Sequence, residues 1–102
     1  MTAHLLIMYP NPKNAKEFDR AYREEHLPFA GPRLKGALKV ETKRVIGPAF
    51  APPAFHLISD VTFPSMDVLA ATAASTGKEA LDHAASISSG GPPTILVITD
   101  DV

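Results

Sequence analysis

The chain opens on a short apolar run, HLLIMY at residues 4–9, whose consecutive hydrophobic positions predict a strand covered on both faces. Pro10 and Pro12 end it. The next pattern has a period of four: Phe18, Tyr22 and His26 share one face of a helix, with Arg20, Arg23, Glu24 and Glu25 on its wetter sides. Asn14 suits the N-cap, and Glu17 three residues later completes a capping-box pattern. Pro28 biases Leu27 away from helical geometry, so the helix is expected to end within a residue or so of His26. That places a titratable imidazole at a helix exit, near a cavity mouth.

Farther along, Lys39, Glu41 and Lys43 alternate with Leu38, Val40 and Thr42, which predicts a half-exposed strand at a sheet edge between Leu38 and Ile46. The segment GPAFAPP, residues 47–53, reads as a rigid connection. In a third strand Phe55, Leu57, Val61 and Phe63 take one side, and His56, Ile58, Asp60 and Thr62 the other. Ser65 caps a second helix with Met66, Leu69, Ala70 and Ala73 on one face, and Thr76 with Glu79 forms a capping-box signature for a third, from about Gly77 to Ile87. SSGGPP at 88–93 terminates it, and TILVIT at 94–99 is a last strand, apolar on both faces.

The order β-α-β-β-α-β, with its second helical part broken in two, predicts an α+β, ferredoxin-like fold: a four-stranded antiparallel sheet with helices on one face. Leu6 or Ile7 and Leu96 or Val97 must then point into an uncovered face. An apolar face of that extent calls for a partner, and the simplest is a second copy packed sheet to sheet about a two-fold axis.

With 102 residues, the sequence has room for one domain, residues 1–102. Lys and Arg number 10 against 11 acidic residues, a formal charge of −1 that offers no electrostatic footprint for nucleic acid or an anionic membrane. Cysteine is absent, which excludes disulfides, thiolate nucleophiles and cysteine-ligated metals and suits a reducing compartment. The run from Leu5 to Met8 is too short for a signal-peptide core, and no apolar stretch approaches the ~20 residues that span a bilayer. A soluble cytoplasmic protein is the expectation.

Among candidate chemical groups His26 stands first, because it titrates near neutrality and closes an otherwise packing stripe. The competing role is a helix cap, its ring bonding the last carbonyls. By strand alternation His56 points to the side away from the helices, as a ligand contact or an interface residue. Asp60 is no partner for it, since four strand residues separate them by roughly 13 Å. Tyr9 and Tyr22 offer hydroxyls to a cavity or serve as core, and Arg44 could grip a carboxylate or phenolate or stand solvated on an edge strand. His4 and His83 are expected at the surface. The four histidines show no metal-ligand spacing, Gly90-Gly91 is followed by Pro92-Pro93 rather than a helix, and no dinucleotide fingerprint or serine-nucleophile motif occurs. No cofactor is expected.

Met8-Tyr9-Pro10, Phe18, Tyr22, His26-Leu27-Pro28 with Ala30, Gly36, the segment HLISDVTFPSMDVL (56–69) and SSGGPPTILV (88–97) together resemble the EthD family over essentially the whole chain. The resemblance implies a dimeric α+β barrel, in which two ferredoxin-like subunits press their sheets together and enclose small cavities. Relatives in that superfamily include cofactor-free monooxygenases and isomerases. The family's recurrent histidine corresponds to His26. Many members carry an aromatic residue, usually tyrosine, at the ligand-lining position held here by Val40.

Two functions follow. One is a small cofactor-independent oxidoreductase or isomerase acting on an apolar, oxygenated molecule in the barrel, with His26 as acid or base. The other is a non-catalytic homodimer that binds a hydrophobic metabolite or assists a neighbouring enzyme.

Overall fold

In a computed structural model describing residues 1–49 and 51–102, four strands pair into one antiparallel sheet. They are β1 (Ala3–Pro10), β2 (Lys39–Arg44), β3 (Phe55–Phe63) and β4 (Thr94–Thr99), in the spatial order β2-β3-β1-β4. The helices are α1 (Ala15–Ala21), α2 (Leu27–Ala30), α3 (Met66–Ala73) and α4 (Thr76–Ile87). This is the α+β, ferredoxin-like arrangement that the sequence predicts. Phe50, within the predicted connection at 47–53, lies outside the described residues.

Strand β1 is not covered equally on both faces. Ala3, Leu5, Ile7 and Tyr9 are buried in the core with Leu57, Val61 and Phe63 of β3, whereas His4, Leu6 and Met8 remain half-buried on the other face. The pairing Leu6↔Leu96 then places Leu96 on that open face, and Ile7↔Ile95 turns Ile95 toward the helices. Yet β4 is exposed along its whole length. An apolar run reports that both faces need cover; it does not say which molecule supplies it.

The first helix departs from expectation in an informative way. It does not stop at His26. A π-helical segment, Tyr22–His26, follows α1 directly, α2 continues from it, and a 3-10 turn, Gly31–Arg33, closes the arm. Leu27 donates its N–H to the Tyr22 carbonyl, five residues back. Pro28 has no N–H to give, and its ring needs the space an ordinary turn would fill with the carbonyl four residues earlier. One extra residue in the wide turn makes that space, so the chain absorbs the proline instead of ending.

Local caps fix the other ends. Asn14 accepts the Glu17 N–H at 3.1 Å and Ser65 accepts the Val68 N–H at 3.2 Å. The pair Thr76/Glu79 does not form its predicted box. Thr76 donates to the Arg33 carbonyl at 2.8 Å and Glu79 takes the Arg33 guanidinium at 2.8 Å, so both tie α4 to the 3-10 turn. Gly36 has φ +84, and a Cβ there would meet Val68 Cγ1 at 2.6 Å, so only glycine fits this approach.

Candidate functional site

Between the helix-facing side of the sheet and the arm formed by the π segment and α2 lies a cavity of about 210 Å³. Its apolar wall is Ile7, Leu27, Ala30, Leu34, Val40 and Val61; its polar wall is His26, Thr42 and Ser59. The cavity therefore sits inside one subunit, under the helices, and not between two sheets as the barrel resemblance suggests. The reason is local. The wide turn at Tyr22–His26 and the uncovered edge strand β2 leave a gap that neither helix fills.

Ser59 is buried at the centre of β3 and Thr42 stands opposite it on β2. The Tyr22 hydroxyl lies 2.5 Å from Ser59 Oγ and 2.8 Å from Thr42 Oγ1. Three hydroxyls hold three protons, and their two contacts use two. When Tyr22 donates to one of its two partners, that partner's own O–H is left to turn elsewhere, and both Ser59 and Thr42 line the cavity.

His26 is buried at 4% exposure within the π segment, a conformation often found at functional sites. Its Nε2 lies 3.4 Å from the Tyr9 hydroxyl and its Nδ1 lies 2.9 Å from Nδ1 of His83 on α4. Burial, then the neighbouring His83, pushes the His26 imidazole down to about 4, so it is neutral at physiological pH and keeps a lone pair. Burial likewise raises the Tyr9 phenol well above its ordinary range, with Tyr22 beside it adding to the effect. Tyr9 packs edge-on to Phe18 and Tyr22, so it backs His26 rather than opening into the cavity.

The predicted residues thus divide. His26 and Val40 line the cavity, Tyr22 reaches its polar wall through its hydroxyl, and Tyr9 stands behind His26. Arg44 and His56 belong to a separate cluster. Arg44 Nη2 and His56 Nε2 meet the two carboxylate oxygens of Asp19 on α1 at 3.1 and 2.8 Å, and Arg44 Nη1 lies 3.1 Å from His56. Burial would raise the Asp19 carboxyl, but hydrogen bonds from His56 and Arg44 hold it below its ordinary value.

His56 does not point away from the helices. Tyr9 pairs with Leu57 and Pro10 with Phe55, so His56 is the extra residue of a bulge, and its ring meets Phe18 at 5.5 Å. A bulge breaks the period of two, and strict alternation fails there. Neither His83 nor His4 is a bare surface residue. His83 bonds His26, and half-buried His4 lies 2.9 Å from Asp60 on the open face. Among the described residues no group of three or more His, Cys, Asp or Glu could hold a metal ion, and no helix is long and apolar enough to cross a membrane.

Three side chains escaped the sequence reading: His83, Ser59 and Thr42 in its polar role. Ser59 had a signal, since it interrupts the inward series Leu57, Val61, Phe63 with a polar residue. His83 had a weaker one, lying beside Ala84 on the shoulder of the buried stripe of α4.

No protein-family model and no curated protein matches the sequence. Solved structures do match the fold. An EthD-family protein from Bacillus halodurans C-125 superposes with a TM-score of 0.87 at 20% identity, over 98% of this chain and 99% of that one. SnoaB from Streptomyces nogalater, a cofactor-independent oxygenase, gives 0.67 at 12% identity, over 99% and 94%. A dimeric ferredoxin-like protein of unknown function from Jannaschia sp. CCS1 gives 0.64 at 17%, over 96% and 97%. At such identities the likeness bears on architecture, and by architecture this chain has the ferredoxin-like fold found in EthD-family proteins.

Proposed function

We propose that this chain is an EthD-like, cofactor-independent enzyme in which His26 takes a proton from an apolar molecule of about one ring carrying an acceptor oxygen. The observation that carries this is a neutral imidazole on the wall of an otherwise apolar cavity, opposite a hydroxyl chain with a spare donor. Cavity size bounds the ligand. A space of about 210 Å³ is below the ~300–1,000 Å³ of drug-sized sites, while an apolar cavity of ~150 Å³ already takes benzene. The spare hydroxyl suits a phenolate, ketone or lactone oxygen.

Removing a proton from such a substrate leaves a stabilised anion. Reprotonation at another carbon gives an isomerase; reaction of the anion with dioxygen gives a monooxygenase-type oxidation. The cofactor-independent oxygenase on the same fold makes the second outcome chemically reasonable for this architecture. Dimeric neighbours with this fold support a homodimer, and we place the second copy on the open sheet face, where Leu6, Leu96 and Ile98 lie.

The test is a panel of single-ring phenols, enones and lactones, incubated with and without oxygen. His26→Ala should lower turnover of any accepted compound at least a hundredfold, the scale of general base catalysis, while the dimer persists. Unchanged turnover would remove His26 from the chemistry.

One observation favours the second reading, a homodimer that binds an apolar metabolite without converting it or that assists a neighbouring enzyme. His26 is the only titratable residue on the cavity wall among the described residues. Saturable binding of panel compounds with no product under either atmosphere would select it.

A further inference from the structure

A base that cannot hold its proton must pass it on. Burial disfavours a charged His26, and of its two polar contacts the Tyr9 hydroxyl leads into the core, Tyr9 being fully buried, which leaves the bond between its Nδ1 and that of His83 as the way out. The two ring planes are only 11° apart, and ring faces in contact pack at roughly 3.5 Å. A nitrogen–nitrogen gap of 2.9 Å between nearly parallel planes therefore means two rings edge to edge, nearly in one plane. Neither two lone pairs nor two protons can face each other at that distance, so one proton is shared.

His83 is also held. Its ring stacks on Phe29 with centroids 4.5 Å apart, and the Arg33 guanidinium covers the Phe29 ring at 3.7 Å. Arg33 is fixed in turn by Glu79 and by the Phe29 carbonyl at 2.9 Å. The second nitrogen of His83, Nε2, makes no hydrogen bond among the described residues, and no buried side-chain nitrogen or oxygen there lacks a partner. Nε2 is therefore wet.

We propose that His83 is a proton relay, connecting Nδ1 of buried His26 with solvent. The inference rests on the proton-transfer role proposed for His26. In the resting state His26 carries its proton on Nδ1 and His83 on Nε2. His26 Nε2 has only a long contact, 3.4 Å, to the Tyr9 hydroxyl. As it gives up that contact for a proton from the ligand, the His26 Nδ1 proton crosses to His83 Nδ1, and His83 Nε2 releases one to water. Each ring gains one proton and loses one, each exchanges its tautomer, and no cation is left under the helices. Reversal of the same steps returns a proton to the product. His83 touches no ligand, so its role is to relay and position.

The test uses the ligand-free protein with 15N-labelled histidine. In the wild type, NMR should show nitrogen–nitrogen coupling across the shared proton, and the His26 ring N–H should exchange rapidly with water despite its burial. His83→Gln keeps a hydrogen-bonding group beside His26 but cannot pass a proton through, so exchange should slow at least tenfold. His83→Ala should lose turnover of an accepted panel compound to a similar extent and regain it with added free imidazole, which a purely structural role would not permit. Exchange in His83→Gln as fast as in the wild type overturns the relay, and so does missing coupling in the wild type, which requires no variant to fold. Loss of turnover in His26→Ala with unchanged exchange in His83→Gln would sink the relay and leave His26 standing. Unchanged turnover in His26→Ala would instead sink the catalytic reading of His26.

Discussion

His26 and His4 stand on opposite sides of the same sheet and are driven in opposite directions. His26 lies beneath the helices, with neutral rings around it and another histidine at its Nδ1, and its pKa falls to about 4. His4 lies on the open face, its Nδ1 2.9 Å from Asp60 and its Nε2 3.6 Å from Asp100, and its pKa rises. The hydrogen bond to Asp60 is the largest cause there and outweighs burial. One side of the sheet thus keeps a lone pair ready at neutral pH, and the other favours the charged imidazole beside a carboxylate. What separates them is the charge of the partner and the depth of burial, not the type of residue.

The largest expected effect breaks the contrast from the His4 side. If a second copy covers the open face, Leu96→Asp puts a charge into that interface, and the two-fold axis presents it twice. An uncompensated buried charge costs roughly 3–5 kcal/mol, and 1.4 kcal/mol is tenfold in affinity. Sedimentation at micromolar concentration should therefore show a dimer for the wild type and a monomer for the variant. The His26 ring signals should stay in place, because its cavity lies within one subunit. A variant that sediments like the wild type would remove the open face as the interface.

Next in size is the acid response of the His26 side. Its folded pKa, about 4, lies below the ordinary 6.5, so between those values the unfolded chain binds more protons than the folded one. Stability is then full above about pH 6.5 and declines as pH falls toward 4, by up to about 3 kcal/mol for this one group. Asp19 and other carboxylates with lowered pKa add their own losses toward acid. The useful quantity is thus the difference between the wild type and His26→Phe. Urea unfolding at pH 7 and pH 4.5 should show a smaller loss in the variant; equal losses would mean that His26 is not held neutral.

How much of this contrast was legible in the sequence depends on what each residue needed from afar. The alternation of β3 and the period of Phe18, Tyr22 and His26 are local, and they gave the strands, the helix face and the ferredoxin-like order. His26 could be singled out because a titratable group closed a packing stripe. Its surroundings could not, since Pro28 alone reads as a stop, and only the π turn shows how the helix passes through it. The position of His56 failed for the same kind of reason: a one-residue bulge opposite Pro10 reverses a face without leaving a mark in the hydrophobic pattern. His83 meets His26 across 57 residues, a contact made by packing α4 against α2 and the π segment. Ser59 is the one that periodicity could have found, as a polar residue in an inward-facing series.

The smallest expected effect sharpens the His4 side. Asp60→Asn keeps the side chain's size and a hydrogen-bonding oxygen but removes the charge beside Nδ1. Asp100, with Thr2 as its own partner, remains near Nε2, so the His4 pKa should fall only part of the way toward its ordinary value. NMR titration of the His4 ring measures this directly, with the His26 ring as internal control, because Asp60 faces away from the helices. The two histidines also differ in the sign of their linkage. A raised pKa stabilises the fold below the ordinary histidine range, and that contribution is lost as pH rises through the folded value. Asp60→Asn should therefore reduce the stability difference between pH 6 and pH 8, while His26→Phe acts on the acid side. If His4 titrates unchanged in Asp60→Asn, the ion pair does not set its charge, and the two faces differ by burial alone.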